Sequence, residues 1–137
     1  VQRCAGTLTP LARRLALKFW PGPLTLVIKA APTLSRRLLA DGDSVAVRVP
    51  SHSVARAIAK QLNHPLTATS ANRTGERTPT EANEIILMFG ATVAVVLDAG
   101  PIEERERSST IVDARGKVPV LVRDGSVEWD SVLRSLR

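Results

Sequence analysis

Four residues, Trp20-Pro21-Gly22-Pro23, divide the first thirty positions of this chain into a helix and a strand. Two prolines and a glycine cannot continue a helix. Upstream, Thr9-Pro10 reads as an N-cap followed by proline at the first helical position. Leu11, Leu15 and Phe19 then share one face at helical spacing. Downstream, residues 24–29 (LTLVIK) are a short, β-rich apolar run. The chain therefore turns from helix to strand within a few residues.

That alternation continues. The spacing predicts a short helix over 33–40, stopped at Asp41-Gly42-Asp43, and a strand over 44–49, closed by Pro50. Ser51 is placed to cap a helix whose face carries Val54, Ala57, Ile58 and Leu62. Residues 66–69 read as a strand, followed by a polar loop over 70–77. Thr78-Pro79-Thr80-Glu81 reads as a capping box with proline at N1. The helix it opens is expected to bury Ala82, Ile85, Ile86 and Phe89 and to end at Gly90. Residues 93–97 read as a buried strand, and 98–108 as a loop with a solvated charge run. Two strands, 109–113 and 118–123, flank Ala114-Arg115-Gly116-Lys117 at hairpin spacing, and Trp129, Leu133 and Leu136 mark a last helix. Alternating elements ending in a hairpin predict an α/β fold with a mixed sheet.

Composition narrows the class. At 137 residues, 44% hydrophobic and 23% charged, the chain suits one soluble globular domain over 1–137. Its only aromatics are Phe19, Trp20, Phe89 and Trp129, so the core must be aliphatic. No apolar run approaches the roughly 20 residues of a membrane helix. A single cysteine, Cys4, excludes a disulfide scaffold or a cysteine zinc site, and the expected compartment is the reducing cytoplasm. The chain starts at Val1 and its single methionine is Met88, so it reads as a piece of a longer polypeptide. The net charge of +6 is uneven: residues 1–40 hold seven basic groups and no acid. Such an end can attract nucleic acid or anionic ligands through its field. The bland reading is a solvated helix face.

The phosphate loops GxxxxGK[ST] and GxGxxG are absent, as are HExxH and the GxSxG elbow. His52 and His64 stand alone and read as surface residues, and Cys4 reads as structural. What remains is hydroxyls, an amide and arginines at element ends. Arg48 follows a strand, Ser70 and Asn72 follow the next, Thr78 caps a helix, Ser108-Ser109-Thr110 open a strand, and Arg123 closes one. Ligands of open α/β sheets sit beyond strand ends. Hydroxyls and helix N-termini hold phosphate oxygens, and arginine pairs with carboxylate or phosphate. The plain alternatives are a surface arginine at 48, a self-satisfied turn at 70–72 and a simple cap at 78. Pattern alone reaches an anion-binding α/β domain, with positioning rather than a nucleophile as its means.

Five segments add a resemblance. Phe19-Trp20-Pro21-Gly22-Pro23-Leu24-Thr25, Val45-Ala46-Val47-Arg48-Val49-Pro50, Thr69-Ser70-Ala71-Asn72 with Gly75, Ser109-Thr110-Ile111-Val112-Asp113 and Val122-Arg123-Asp124-Gly125 occur in order. The series resembles the Sua5/YciO/YrdC family of threonylcarbamoyl-AMP synthases over essentially the whole chain. The resemblance implies an α/β fold with a twisted mixed sheet flanked by helices, incomplete at the amino terminus, and a positively charged cavity. It implies condensation of L-threonine, bicarbonate and ATP into L-threonylcarbamoyladenylate with release of pyrophosphate, and Mg2+ as the companion of ATP. Carried over by position, Ser44, Ser70, Asn72, Thr78 and Arg123 bind ATP, and Arg48, Ala68 and Ser109 hold threonine. No protein nucleophile is required. Downstream, the resemblance implies a tRNA threonylcarbamoyltransferase machinery acting at adenosine 37. A rival reading keeps the fold as an RNA-binding module for tRNA or double-stranded RNA. A carbamoyl-transfer domain of the hydrogenase-maturation type would need zinc-finger cysteines that this sequence lacks. Asp98-Ala99-Gly100 stands where the family has aspartate-glycine-glycine, and the short YrdC type is the better match.

Overall fold

The computed structural model describes residues 1, 3–40, 42–102 and 107–137. They fall into two compact units, one of 1–65 with 107–137 and one within 66–106.

The first unit is built on a four-stranded mixed sheet. Its strands are β1 (Leu24–Lys29), β2 (Ser44–Val47), β3 (Thr110–Asp113) and β4 (Val120–Arg123), in the order β2-β1-β3-β4. β1 pairs antiparallel with β2 and parallel with β3, and β3 pairs antiparallel with β4 across a bulge at Ile111/Val112. The predicted mixed sheet and terminal hairpin are both present. Strand β1 alternates strictly: Leu24, Leu26 and Ile28 are buried, while Thr25 and Val27 face the other side.

Helix α1 (Pro10–Phe19) covers the buried face. Thr9 Oγ1 accepts the Ala12 N–H at 3.0 Å and donates to the Ala114 carbonyl at 2.7 Å, so one hydroxyl caps the helix and ties it to the end of β3. The helix ends where predicted, ahead of a cis Trp20-Pro21 peptide. Ala12, Leu15, Leu24, Leu26, Val112 and Val132 form the fully buried centre, the last from α4 (Trp129–Arg134). Each large aliphatic there contributes about 2 kcal/mol by leaving water.

Several expectations are corrected. Residues 33–40 hold only a 3-10 turn, Arg36–Leu38, with Ser35 accepting the Arg37 N–H. Helix α2 (Ser53–Leu62) begins after His52, so Ser51 does not cap it; the Ser51 carbonyl accepts from Arg56 instead. Val54 and Leu62, expected on its buried face, are exposed. Further corrections lie in the second unit.

There, helix α3 (Ala82–Phe89) starts at an N-cap Glu81 that makes no side-chain cap bond, so the predicted Thr78 cap and Pro79 first turn are wrong by three residues. The cause is competition for Thr80. Its carbonyl accepts the Ile102 N–H at 2.8 Å and its N–H donates to Glu84 Oε2 at 2.9 Å, so the backbone is committed before the helix begins. Gly90 does end α3, but none of the four residues expected to be buried is: Ala82, Ile85 and Phe89 are half-buried and Ile86 is exposed. Residues 66–69 and 93–97 form no strand, because a strand needs a neighbour to take its N–H and C=O groups and none pairs with them among the described residues. The charge run at 103–106 lies outside the described residues.

Candidate functional site

In the first unit, sheet register brings four polar side chains to one edge and one face. Arg123 sits opposite Ile111, Ile111 opposite Thr25, and the β1–β2 register continued by one residue sets Arg48 opposite Thr25. All lie away from the α1 face, at the carboxyl ends of β2 and β4 and the amino ends of β1 and β3. Ser109, just before β3, joins them.

The contacts are direct. Thr25 Oγ1 and Ser109 Oγ are 2.8 Å apart. Arg123 donates from Nη2 and Nε to the Ser109 carbonyl, at 2.8 and 3.2 Å, and from Nη2 to Ser109 Oγ at 3.2 Å. Arg48 Nε donates to the Gly22 carbonyl at 2.9 Å. The breaker motif thus has a positioning role beyond ending α1. The Gly22 N–H donates to the Val49 carbonyl at 2.8 Å and the indole N–H of Trp20 to the Leu24 carbonyl at 2.6 Å. A Cβ at Gly22 would overlap the Phe19 carbonyl oxygen, so only glycine fits.

The turn after Arg123 is equally fixed. A Cβ at Gly125 would overlap the backbone of 108–110. The Ser126 N–H and hydroxyl bond back to the Ser108 and Arg107 carbonyls at 2.9 and 2.5 Å. Buried Thr110 donates to the Val127 carbonyl at 2.7 Å and accepts the Val127 N–H at 2.9 Å. Arg107 pairs with Asp124 at 2.6 Å and Glu128 at 3.4 Å. This knot holds Arg123 over Ser109. The edge therefore presents two guanidinium groups and two hydroxyls, a set that can grip carboxylate or phosphate oxygens.

In the second unit, Asn72 and Thr78 meet. Asn72 Nδ2 donates to the carbonyls of Arg73 and Glu76 at 2.9 and 2.8 Å, and Thr78 Oγ1 donates to Asn72 Oδ1 at 3.5 Å. Gly75 has φ of +86° and closes the turn. Ser70 and Ala68 lie in the exposed chain just before it. Glu84, held by Arg77 and the Thr80 N–H, has its carboxyl below the usual carboxylate range.

Ser44 is not brought to the arginine edge. It is buried at the opposite end of β2, four residues from Arg48, or about 13 Å along a strand. Its hydroxyl donates to the Ala40 carbonyl at 2.6 Å. Cys4 is buried in the core, as expected of a structural cysteine. His64 contacts Arg3 at 3.4 Å. No group of three metal-ligating side chains occurs among the described residues. Thr25 is the site residue that sequence reasoning quoted without a role. Its signal was strand parity: with Leu24 and Leu26 buried, position 25 must face the other side.

A four-stranded mixed sheet with its helices defines an α/β protein, and the polar edge has the chemistry to receive an anion. The model of the Sua5/YciO/YrdC family, described as telomere recombination, matches residues 1–125, and the chain belongs to that family. A Mycobacterium tuberculosis relative is 38% identical over 125 residues, which are 91% of this chain and 57% of that protein. The threonylcarbamoyl-AMP synthase of Bacillus subtilis is 34% identical over 122 residues, 88% of this chain and 35% of its own length. The chain thus spans between a third and three-fifths of these relatives. The fold matches the crystal structure of Pyrococcus abyssi Sua5 complexed with L-threonine with a TM-score of 0.88, at 31% identity over 98% of this chain and 39% of that one. No helix among the described residues is long and apolar enough to cross a membrane.

Proposed function

We propose that this protein is an L-threonylcarbamoyladenylate synthase. The observation that carries the reading is the shared sheet edge of Arg48, Thr25, Ser109 and Arg123, in a family whose relatives are named threonylcarbamoyl-AMP synthases. In this reading Arg48 pairs with the threonine carboxylate and Ser109 serves the same amino-acid subsite. Ser70, Asn72 and Thr78 take the nucleotide, and Arg123 neutralises charge on the phosphate side. Ser44, buried and hydrogen-bonded at the far end of β2, is the nucleotide contact that the geometry supports least.

The reaction has two steps. The threonine amine condenses with bicarbonate, losing water, to give a carbamate. A carbamate oxygen then attacks the α-phosphorus of ATP, the bond to the β-phosphate oxygen breaks, and pyrophosphate leaves. Such chemistry depends on alignment and on neutralising phosphoryl charge, and arginines and hydroxyls can supply both. Mg2+ enters as part of the substrate, on the triphosphate. The product would pass to a tRNA threonylcarbamoyltransferase machinery in the cytoplasm.

An RNA-binding reading rests on the acid-free residues 1–40. It is weakened because Arg14 donates to the Ser135 and Arg137 carbonyls at 2.9 and 2.6 Å, and Lys29 pairs with Asp43 at 3.5 Å. The test is pyrophosphate release from ATP that depends on both threonine and bicarbonate, measured on the full-length protein. Arg123→Ala should abolish it with the fold intact by circular dichroism. Retained activity in that variant would overturn the assignment of Arg123. Inactivity of the folded wild type, together with RNA affinity that falls steeply with salt, would move the function to RNA binding.

A further inference from the structure

We infer that Thr25 is a positioning residue for Ser109, fixing the direction in which the Ser109 hydroxyl is offered to an acceptor oxygen of the bound amino-acid substrate. The inference rests on the synthase reading of this edge. A serine hydroxyl gives one hydrogen bond and can take two. Arg123 Nη2, which can only donate, lies 3.2 Å from Ser109 Oγ and takes one of its acceptor positions. Thr25 Oγ1 lies 2.8 Å from the same oxygen.

Two arrangements follow. If Thr25 donates, both Ser109 acceptor positions are filled, and the Ser109 proton must point away from Thr25 and Arg123. If Ser109 donates to Thr25, only a lone pair is left for a ligand. A carboxylate or carbamate oxygen accepts and cannot donate, so it selects the first arrangement. Thr25 is suited to hold it. It stands on the central strand, half-buried, with its neighbours Leu24 and Leu26 locked in the core. Ser109 is itself buried and its carbonyl is gripped by Arg123. Groups carried on packed strands hold direction better than groups on loops.

The experiment uses the full-length protein with L-threonine as the probe. Calorimetry gives the threonine Kd, and the pyrophosphate assay gives KM for threonine and for ATP. Thr25→Val, close in shape but lacking the hydroxyl, should raise the threonine Kd and KM about five- to tenfold, the worth of one neutral hydrogen bond. The KM for ATP should change by less than about twofold, and Thr25→Ser should restore threonine binding. In a Ser109→Ala background Thr25→Val should add nothing. Unchanged threonine binding in Thr25→Val would overturn the inference. So would equal losses for threonine and ATP, absence of rescue by serine, or additive losses in the double variant, since each marks a packing role. Thr25→Ala replaces the valine variant if the latter fails to fold, with the same expectations. If Ser109→Ala binds threonine like wild type, the synthase reading of this edge fails. If Ser109→Ala weakens binding and Thr25→Val does not, only the inference fails.

Discussion

The sheet unit and the segment 66–106 use apolar residues in opposite ways. In the first, Leu15, Leu24, Leu26 and Val112 are wholly buried beneath α1 and α4. In the second, Ile86 is 50% exposed, Leu87 88% and Val95 72%, and Pro79 is the single buried residue among those described. Their polar ties differ as well. Thr9–Ala114, Thr25–Ser109 and Thr110–Val127 join elements far apart in sequence. Asn72–Glu76, Thr78–Asn72 and Arg77–Glu84 join residues within one or two turns. Contacts that close long loops over buried surface open only with global unfolding, whereas short-range contacts on exposed backbone open locally. In the proposed enzyme, the edge of Arg48, Thr25, Ser109 and Arg123 would be preformed, whereas the turn carrying Asn72 and Thr78 would open locally.

The largest expected effect comes from matched truncations. Leu26→Ala should destabilise the protein by about 3 kcal/mol, through lost transfer energy and the cavity left in the core. Leu87→Ala should cost less than about 0.5 kcal/mol, as an exposed substitution does. Urea unfolding measures both. Comparable losses would mean that the two regions are equally packed, and would break the comparison.

Next comes Thr110→Val. The shape is kept, but the buried Val127 N–H and C=O both lose their partner. Stranding buried polar groups should cost about 2 kcal/mol, again by urea unfolding. A neutral outcome would show that the knot behind Arg123 opens to water. Asn72→Ala, which removes two bonds to exposed carbonyls, should leave global stability within about 0.5 kcal/mol. It should instead raise amide exchange across 72–76, and unchanged exchange there would remove Asn72 as the organiser of that turn.

The same contrast decides how much the sequence could reveal. Strand β1 was legible because alternation in Leu24–Lys29 and the stop at Trp20-Pro21-Gly22-Pro23 are local signals that the tertiary structure reinforces. The cap at Thr9 was legible for the same reason. Thr78 carries an equally good capping pattern, yet the Ile102 N–H and the Glu84 carboxylate claim the backbone of Thr80 first. Residues 93–97 have strand composition, but composition cannot supply a ladder partner. At the site, Arg48, Ser109 and Arg123 were visible as polar residues at element ends. Their convergence was not, because it depends on the β2-β1-β3-β4 order, which brings together residues as distant in sequence as Thr25 and Ile111.

The smallest effect is a pH dependence that separates the units. The Arg115 guanidinium beside Asp113 holds that carboxyl below the usual aspartate range, against a partly opposing cost of burial. Arg77 and the Thr80 N–H do the same for Glu84. A carboxyl whose folded pKa is depressed adds stability that is present in full above its unfolded value, and loses it as pH falls through the folded one. For Asp113 the unfolded value is about 3.9, so the contribution is complete at pH 7 and fades below about pH 4. Wild type should therefore melt above Asp113→Asn at pH 7, with the gap closing as the solution is taken toward pH 3. Asp113 is the end residue of β3, so its ion pair belongs to the cooperative sheet and should register in Tm. Glu84 sits in the first turn of α3 and should register in the exchange of α3 amides instead, leaving Tm unmoved when it is replaced by Gln. A Tm shift of similar size in Glu84→Gln would mean that α3 melts together with the sheet, and the two regions would then be one cooperative unit.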